Sequence, residues 1–234
     1  ISIGILVMSI NYGEYDINPI QVVLTILGIE TDEDFRLVVW QFRLPRILLS
    51  FLIGMALAVS GAILQGITRN PLADPGILGV TSGASLAAVA SIVWFQTNSS
   101  TLPLVTLGGA IIMAMLIYGL AWKGGSASTR LILVGVGLTA ITSALTNIML
   151  TFGDIRLVQQ AYVWLAGSVY GRDWGHVNAI VPWLAVLLPI ALLQARQLNT
   201  LNLGDDTAKG LGVAVERQRA ILLIISVALA GVSV

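Results

Sequence analysis

The chain has 234 residues, of which 56% are hydrophobic and 10% charged, with a net charge of zero and a mean hydropathy of +0.90. A soluble domain carries about 25% charged residues, so this composition excludes an ordinary water-soluble fold and implies a lipid bilayer as solvent. The balanced charge leaves no electrostatic case for nucleic acid, and the absence of cysteine removes disulfides, zinc–thiolate sites and thiol nucleophiles together.

Spans are read from uncharged runs, with polar and Pro/Gly clusters as breaks. Ile1–Ile10 is apolar for only ten residues, with no secretory cleavage signal visible. Ile47–Thr68 is an uncharged run of 22. Pro75–Trp122 runs uncharged for 48 residues, too long for one helix, and divides at the polar stretch Gln96–Pro103. Leu131–Gly153 and Trp174–Ala195 follow, and Ala220–Val234 is a final uncharged run of fifteen. Crossing a bilayer takes about 20 residues, so the first and last runs read as spans truncated in mid-membrane. Seven spans are touched in all. The expected fold is an all-α, polytopic transmembrane helical bundle, a single domain over residues 1–234 incomplete at both ends.

Placing the loop at 196–219 in the cytoplasm puts seven Lys and Arg inside against five outside, a positive-inside margin. Small residues punctuate two spans: Gly54, Ala56, Ala58, Ser60, Gly61 and Ala62 in one, Gly135, Gly137 and Ala140 in the other. They suit close helix packing in lipid; a pore lining is the alternative. His176, beside Trp174, reads as an interfacial anchor, and the six Trp fall mostly near span ends.

The complete spans contain no Asp, Glu, Lys or Arg, whereas ion-driven transporters need an intramembrane ionisable group. A phosphate-binding Gly-x-x-x-x-Gly-Lys-Ser/Thr loop is also missing; Lys123-Gly124-Gly125-Ser126 has the wrong spacing. Energy for uphill transport is therefore expected from another chain.

Three segments exceed what an anchor needs. Arg43-Leu44-Pro45-Arg46 enters the first complete span, with Pro45 read at a helix start. Its arginines suit either headgroup snorkelling or docking of carboxylates from an external partner. Asn70-Pro71-Leu72-Ala73-Asp74-Pro75-Gly76 is a rigid connector, a plain turn or a gate. In Leu201–Gly212, Asp205 or Asp206 is expected to cap a short helix and Gly212 to end it. Leu203 and Leu211, exposed at its flanks, would invite a protein partner; a solvated loop is the bland alternative.

These segments, with Ser60-Gly61-Ala62, Gln65, Gly79, Ser128-Thr129-Arg130-Leu131, Gly135, Trp164-Leu165-Ala166-Gly167-Ser168 and Leu203–Ala208, occur in the order and spacing of a known family. The chain resembles a FecCD-type permease, the membrane subunit of ABC importers for iron–siderophores, haem and cobalamin. The resemblance covers essentially the whole chain. It implies the type II ABC importer permease fold with ten membrane helices, three of them beyond this sequence. The implied setting is a multi-pass protein of the bacterial cytoplasmic membrane. Its implied partners are a cytoplasmic ABC ATPase, an extracytoplasmic substrate-binding protein and a second permease subunit, identical or paralogous. No cofactor or metal is implied, and ATP hydrolysis falls to the partner chain.

By the same resemblance, Arg43 and Arg46 receive acidic residues of the binding protein. Leu203, Gly204, Asp205, Asp206, Thr207, Ala208, Gly210, Leu211 and Gly212 form the ATPase coupling segment, and Asn70, Leu72, Ser128 and Thr129 match the cytoplasmic gate. The Trp164–Ser168 motif with Gly171 and Trp174 is similar to the siderophore branch, a hydroxamate foremost, rather than the cobalamin branch. An ion-coupled secondary transporter, a membrane-embedded enzyme and a structural scaffold are the rival classes. Met55–Ala58 echoes Val227–Ala230, as the inverted repeats of transporters do.

Overall fold

The computed structural model describes residues 18–29, 32–76, 79–97, 101–122 and 128–233; Ile1–Ile10 and Lys123–Ser126 lie outside the described residues. Among the described residues the chain is helical throughout, in the order α1 (Pro19–Ile26), α2 (Glu33–Thr68), α3 (Val80–Trp94), α4 (Leu102–Ala121), α5 (Ser128–Phe152), α6 (Ile155–Leu165), α7 (Trp174–Leu193), α8 (Ala195–Asn202), α9 (Asp205–Gly210) and α10 (Val215–Val232). The all-α expectation holds, and the breaks at Gln96–Pro103 and after Thr68 fall where the sequence puts them. α1, α6 and α8 have no counterpart in the sequence reading.

α2 departs most from expectation. It does not start at Pro45 but at Glu33, and its 36 residues extend about 54 Å. The uncharged stretch from Ile47 accounts for about 33 Å of that, one hydrocarbon thickness. The preceding turns, with Asp34, Arg36, Arg43 and Arg46, project beyond it. A π-helical segment, Val38–Arg43, lets the helix run through proline.

Contacts group the chain into two compact units, the described parts of Ile1–Met55 with Val169–Pro182, and Ala56–Ser168 with Trp183–Val234. In the first, α1 begins with a capping box in which Asn18 and Gln21 satisfy each other's backbone N–H. Val22 and Val39 form its buried centre with Phe35, Leu44 and Ile47 around them.

In the second, α3 and α4 meet at glycine. A Cβ on Gly83 would lie 2.5 Å from the Cβ of Met113, and one on Gly109 would lie 2.5 Å from the carbonyl oxygen of Gly83. Backbone approach of this kind is how helices bind each other where no hydrophobic effect acts between them. Around the crossing sit Leu64, Val80, Ala84, Ala110, Met113, Ile117, Leu131, Val227 and Ala230. α6 buries Val158 and Ala161 against Val89, Val93 and Leu150. α10 is tied to α2 by a reciprocal pair. The Ser60 hydroxyl donates to the Ser226 carbonyl at 2.8 Å, and the Ser226 hydroxyl donates to the Ser60 carbonyl at 3.2 Å. The four long apolar helices bury only 22–28% of their most apolar stretch within the chain, so the remaining apolar surface needs lipid or another subunit.

Candidate functional site

Passing proline through α2 removes one backbone donor. The Leu44 N–H bonds five residues back, to the Val39 carbonyl. One step on, Pro45 has no N–H to offer the Trp40 carbonyl. The indole N–H of Trp174 takes that place at 2.8 Å, with the two Trp rings stacked at 6.3 Å. Of the two arginines in the motif, Arg43 is 9% exposed. The Arg46 guanidinium sits 4.9 Å from the centre of the Tyr170 ring, a cation–π contact that leaves its charge uncancelled. Among the described residues no carboxylate pairs with Arg46. Further along, Arg172 contacts His176 Nε2 at 2.9 Å and His176 Nδ1 contacts Asp173 at 2.8 Å. The hydrogen bond from the His176 side chain, with one from its backbone, holds the Asp173 carboxyl below its ordinary value. His176 is thus part of a polar chain rather than an isolated anchor.

The connector after α2 is held by its own side chains. Arg69 takes a left-handed conformation, φ 51°. Asn70 Oδ1 accepts the Leu72 N–H at 3.0 Å and Asp74 Oδ1 the Gly76 N–H at 2.6 Å, two Asx turns in succession. Leu72 is left 78% exposed. Thr129 is exposed in the first turn of α5, which Ser128 opens; the Ser128 side chain lies outside the described residues.

The segment 203–212 forms a short helix, with one correction. Neither Asp205 nor Asp206 caps it: Gly204, at φ 107°, is the N-cap and no side chain bonds there. Gly212 ends it as expected, at φ 80°, with Val213 N–H bonded to the Ala208 carbonyl and Gly212 N–H to that of Lys209, a Schellman motif. Leu203 and Leu211 are each 64% exposed, while Ala208 is fully buried. The Asp205 carboxylate is drawn elsewhere. It accepts from Arg219 Nη2 at 2.9 and 3.0 Å through its two oxygens, and from Arg69 Nη2 at 3.1 Å. The Arg219 side chain is 1% exposed and also pairs with Glu216 at 3.3 Å. Through Asp205 the structure brings the end of α2, and so the connector, onto α9 and α10.

A feature missed in the sequence is a cleft of about 340 Å³ lined by Thr81, Ser82 and Ser85 of α3 and Thr139, Ser143, Thr146 and Asn147 of α5. The Thr139 hydroxyl is buried without a hydrogen-bond partner. Spacings of 3 to 4 put each set on one helical face, a signal present in the sequence. No charged residue lines the cleft.

Comparison with known proteins agrees with this architecture. The iron(3+)-hydroxamate import system permease protein FhuG of Bacillus subtilis is 46% identical over 231 residues, 95% of this chain and 68% of the relative. The achromobactin transport system permease protein CbrC of Dickeya dadantii is 44% identical over 99% of this chain and 67% of its own length. The vitamin B12 import system permease protein BtuC of Yersinia enterocolitica is 37% identical over 86% of this chain and 62% of its own. Among solved structures, a metal-chelate type ABC transporter in an inward-facing conformation superposes with a TM-score of 0.87 and 29% identity, covering 99% of this chain and 71% of that one. The FecCD transport family description matches residues 1–234, and the chain belongs to that family of membrane transport permeases.

Proposed function

We propose that residues 1–234 form one permease domain of an ATP-driven importer in the bacterial cytoplasmic membrane, carrying a ferric siderophore, with a hydroxamate chelate foremost. The observation that carries this reading is the hydroxyl- and amide-lined cleft between α3 and α5, with no ionisable residue in its lining. Such a surface offers hydrogen bonds to a polar chelate. It lacks the acid, base or charge that ion coupling in a membrane requires. The names of the relatives at 44–46% identity concern hydroxamate and achromobactin import, which favours the siderophore over haem or cobalamin.

In this reading a substrate-binding protein docks its carboxylates at Arg43 and Arg46. Arg46 is the more accessible of the two, and its charge is available because an aromatic face, not an acid, holds it. A cytoplasmic ATPase meets Leu203, Gly204, Asp205, Asp206, Thr207, Ala208, Gly210, Leu211 and Gly212, where two exposed leucines flank a helix anchored by Ala208. Asn70, Leu72, Ser128 and Thr129 gate the cytoplasmic end. A second permease subunit, identical or paralogous, covers apolar surface that this chain leaves open. The chain itself hydrolyses nothing; binding and release alternate as rigid helical bodies change position.

The test is purification of the full-length permease in mild detergent with its native partners. A nucleotide-binding ATPase at one copy per permease, stimulated by a binding protein loaded with ferric hydroxamate, is the expected result. Stimulation by a cobalamin-loaded binding protein alone would replace the siderophore. An ATPase-free, ion-dependent permease would overturn the importer.

A further inference from the structure

Three parts of the chain converge on one carboxylate. Arg69 closes α2 directly ahead of the Asn70–Gly76 connector, Asp205 opens α9, and Arg219 lies in the second turn of α10. Nine residues before Arg69 on α2 is Ser60, about 14 Å along the helix. Seven residues after Arg219 on α10 is Ser226, about 11 Å along. Those two serines exchange hydrogen bonds with each other's carbonyls. α2 and α10 are therefore pinned at two levels, one ionic at Asp205 and one neutral at Ser60–Ser226, and run in opposite directions between them. Gly204 stands at φ 107° with an added Cβ 3.4 Å from Arg69 Nη1, so the backbone of the α9 entry lies against the same guanidinium.

We infer that Asp205 is a mechanical latch, a positioning residue that makes α9 and α10 move together and tethers the α2 connector to them. The inference rests on the reading of α9 as the segment that meets the ATPase. Its geometry decides how motion would pass. Arg219 is buried, so its Nη2, shared between the two Asp205 oxygens, ties α9 to α10 through an ion pair that is desolvated on the arginine side and costs more to break than an exposed one. Arg69 and Asp205 are 40% and 31% exposed in their side chains, so this arm is the weaker and adjustable one. A displacement of α9 is delivered to α10 rigidly and to the connector through a bond that yields first.

Asp205→Asn leaves the buried guanidinium without its main acid and risks the fold, so the decisive variants are at Arg69. The chain has no cysteine, and Leu72→Cys with Lys209→Cys gives two exposed labelling sites on the connector and α9. In the full-length permease assembled with its ATPase, the distance distribution between spin labels there is expected to be narrow with native Arg69. It should broaden with Arg69→Gln, broaden further with Arg69→Glu, and return with Arg69→Lys. In unlabelled complexes in vesicles, ferric hydroxamate imported per ATP hydrolysed should fall about threefold in Arg69→Gln, the scale of one half-exposed ion pair, with ATPase still bound at the native ratio. Equal widths for Arg69, Gln and Glu would overturn the latch, as would loss of the ATPase from the Arg69→Gln complex, which would make Arg69 a docking residue. Broadening in a chain whose native form shows no ATP-linked import would uphold the mechanical link while removing the importer reading.

Discussion

Arg219 and Arg46 are both arginines at the margin of apolar helices, yet Arg219 is 1% exposed between Asp205 and Glu216, whereas Arg46 rests on the ring of Tyr170. A buried guanidinium flanked by acids has spent its charge inside the protein. What it supplies is geometry, since Nη2 bonds both oxygens of Asp205 while Nη1 bonds Glu216, which holds the guanidinium between two carboxylates. A guanidinium on an aromatic face is oriented by the ring and keeps its field. The first arrangement suits transmission of force along the chain, the second suits recognition of an acidic surface. Arginine serves both because it never deprotonates and tolerates partial dehydration better than lysine.

The sharpest way to break the comparison is at the buried pair. Breaking a buried ion pair from one side costs about 3–5 kcal/mol, less here because Glu216 still faces Arg219 and Asp205 is a third exposed. Asp205→Asn should therefore give the largest loss of folded, monodisperse permease in detergent, read by thermal unfolding. A near-native melting temperature would mean that Arg219 does not depend on Asp205. Charge reversal at Arg43 and Arg46 tests the other side. The Arg43→Glu, Arg46→Glu chain should insert normally while binding-protein-stimulated transport falls about tenfold or more, since like charges placed across an interface cost several kcal/mol. Normal uptake in that protein would end the docking role.

The neutral pin provides a graded comparison with the ionic one. Ser60 and Ser226 are both buried, and replacing both by Ala removes donors and acceptors together, which leaves nothing unsatisfied on the side chains. A double Ala chain should lose about 1 kcal/mol, well below the loss in Asp205→Asn. Ser60→Ala alone leaves Ser226 a carbonyl acceptor at Ser60, so the two steps should be unequal. A full loss at the first substitution would show that the serine pair acts as a unit.

The bundle is legible because its spans are long apolar runs and its breaks are proline-bearing or polar. α6 escapes that reading: eleven residues with Val158 and Ala161 as the buried positions are too few and too polar to register as a span. α1 is eight residues long, although Asn18, Pro19 and Gln21 carry its cap signal openly. The proline in Arg-Leu-Pro-Arg misleads for a reason that lies far along the chain, since only the folded position of Trp174 supplies the donor that Pro45 lacks. Asp205 misleads similarly. Locally an aspartate after glycine is a good cap, but an arginine fourteen residues on and a second arginine just past α2 outbid the backbone N–H groups. Period and punctuation report what a segment does by itself, and these two sites are decided by partners distant in sequence.

Asp154 sharpens the contrast from the opposite extreme, as a carboxylate that serves its own helix. It is the N-cap of α6 and accepts the Arg156 N–H at 2.9 Å. That backbone hydrogen bond, ahead of the charge of Arg156, holds its carboxyl below the ordinary value of 3.8. A carboxyl depressed in the folded state stabilises fully above its ordinary value and loses that contribution as pH falls through the lower folded value. Protection of the first α6 amides from hydrogen exchange should hence be flat from pH 8 to about 5 and decline only in stronger acid. Asp154→Asn should keep the cap, since Asn serves an N-cap as well as Asp, but lose this acid dependence. Asp154→Ala should expose the amides at every pH. The effect should stop at α6, because Asp154 has no role outside its own turn. If Asp154→Ala instead loosened α9 or α10, carboxylates in this chain would be coupled over longer distances than pairwise contacts allow, and the separation between local and shared acids would fail.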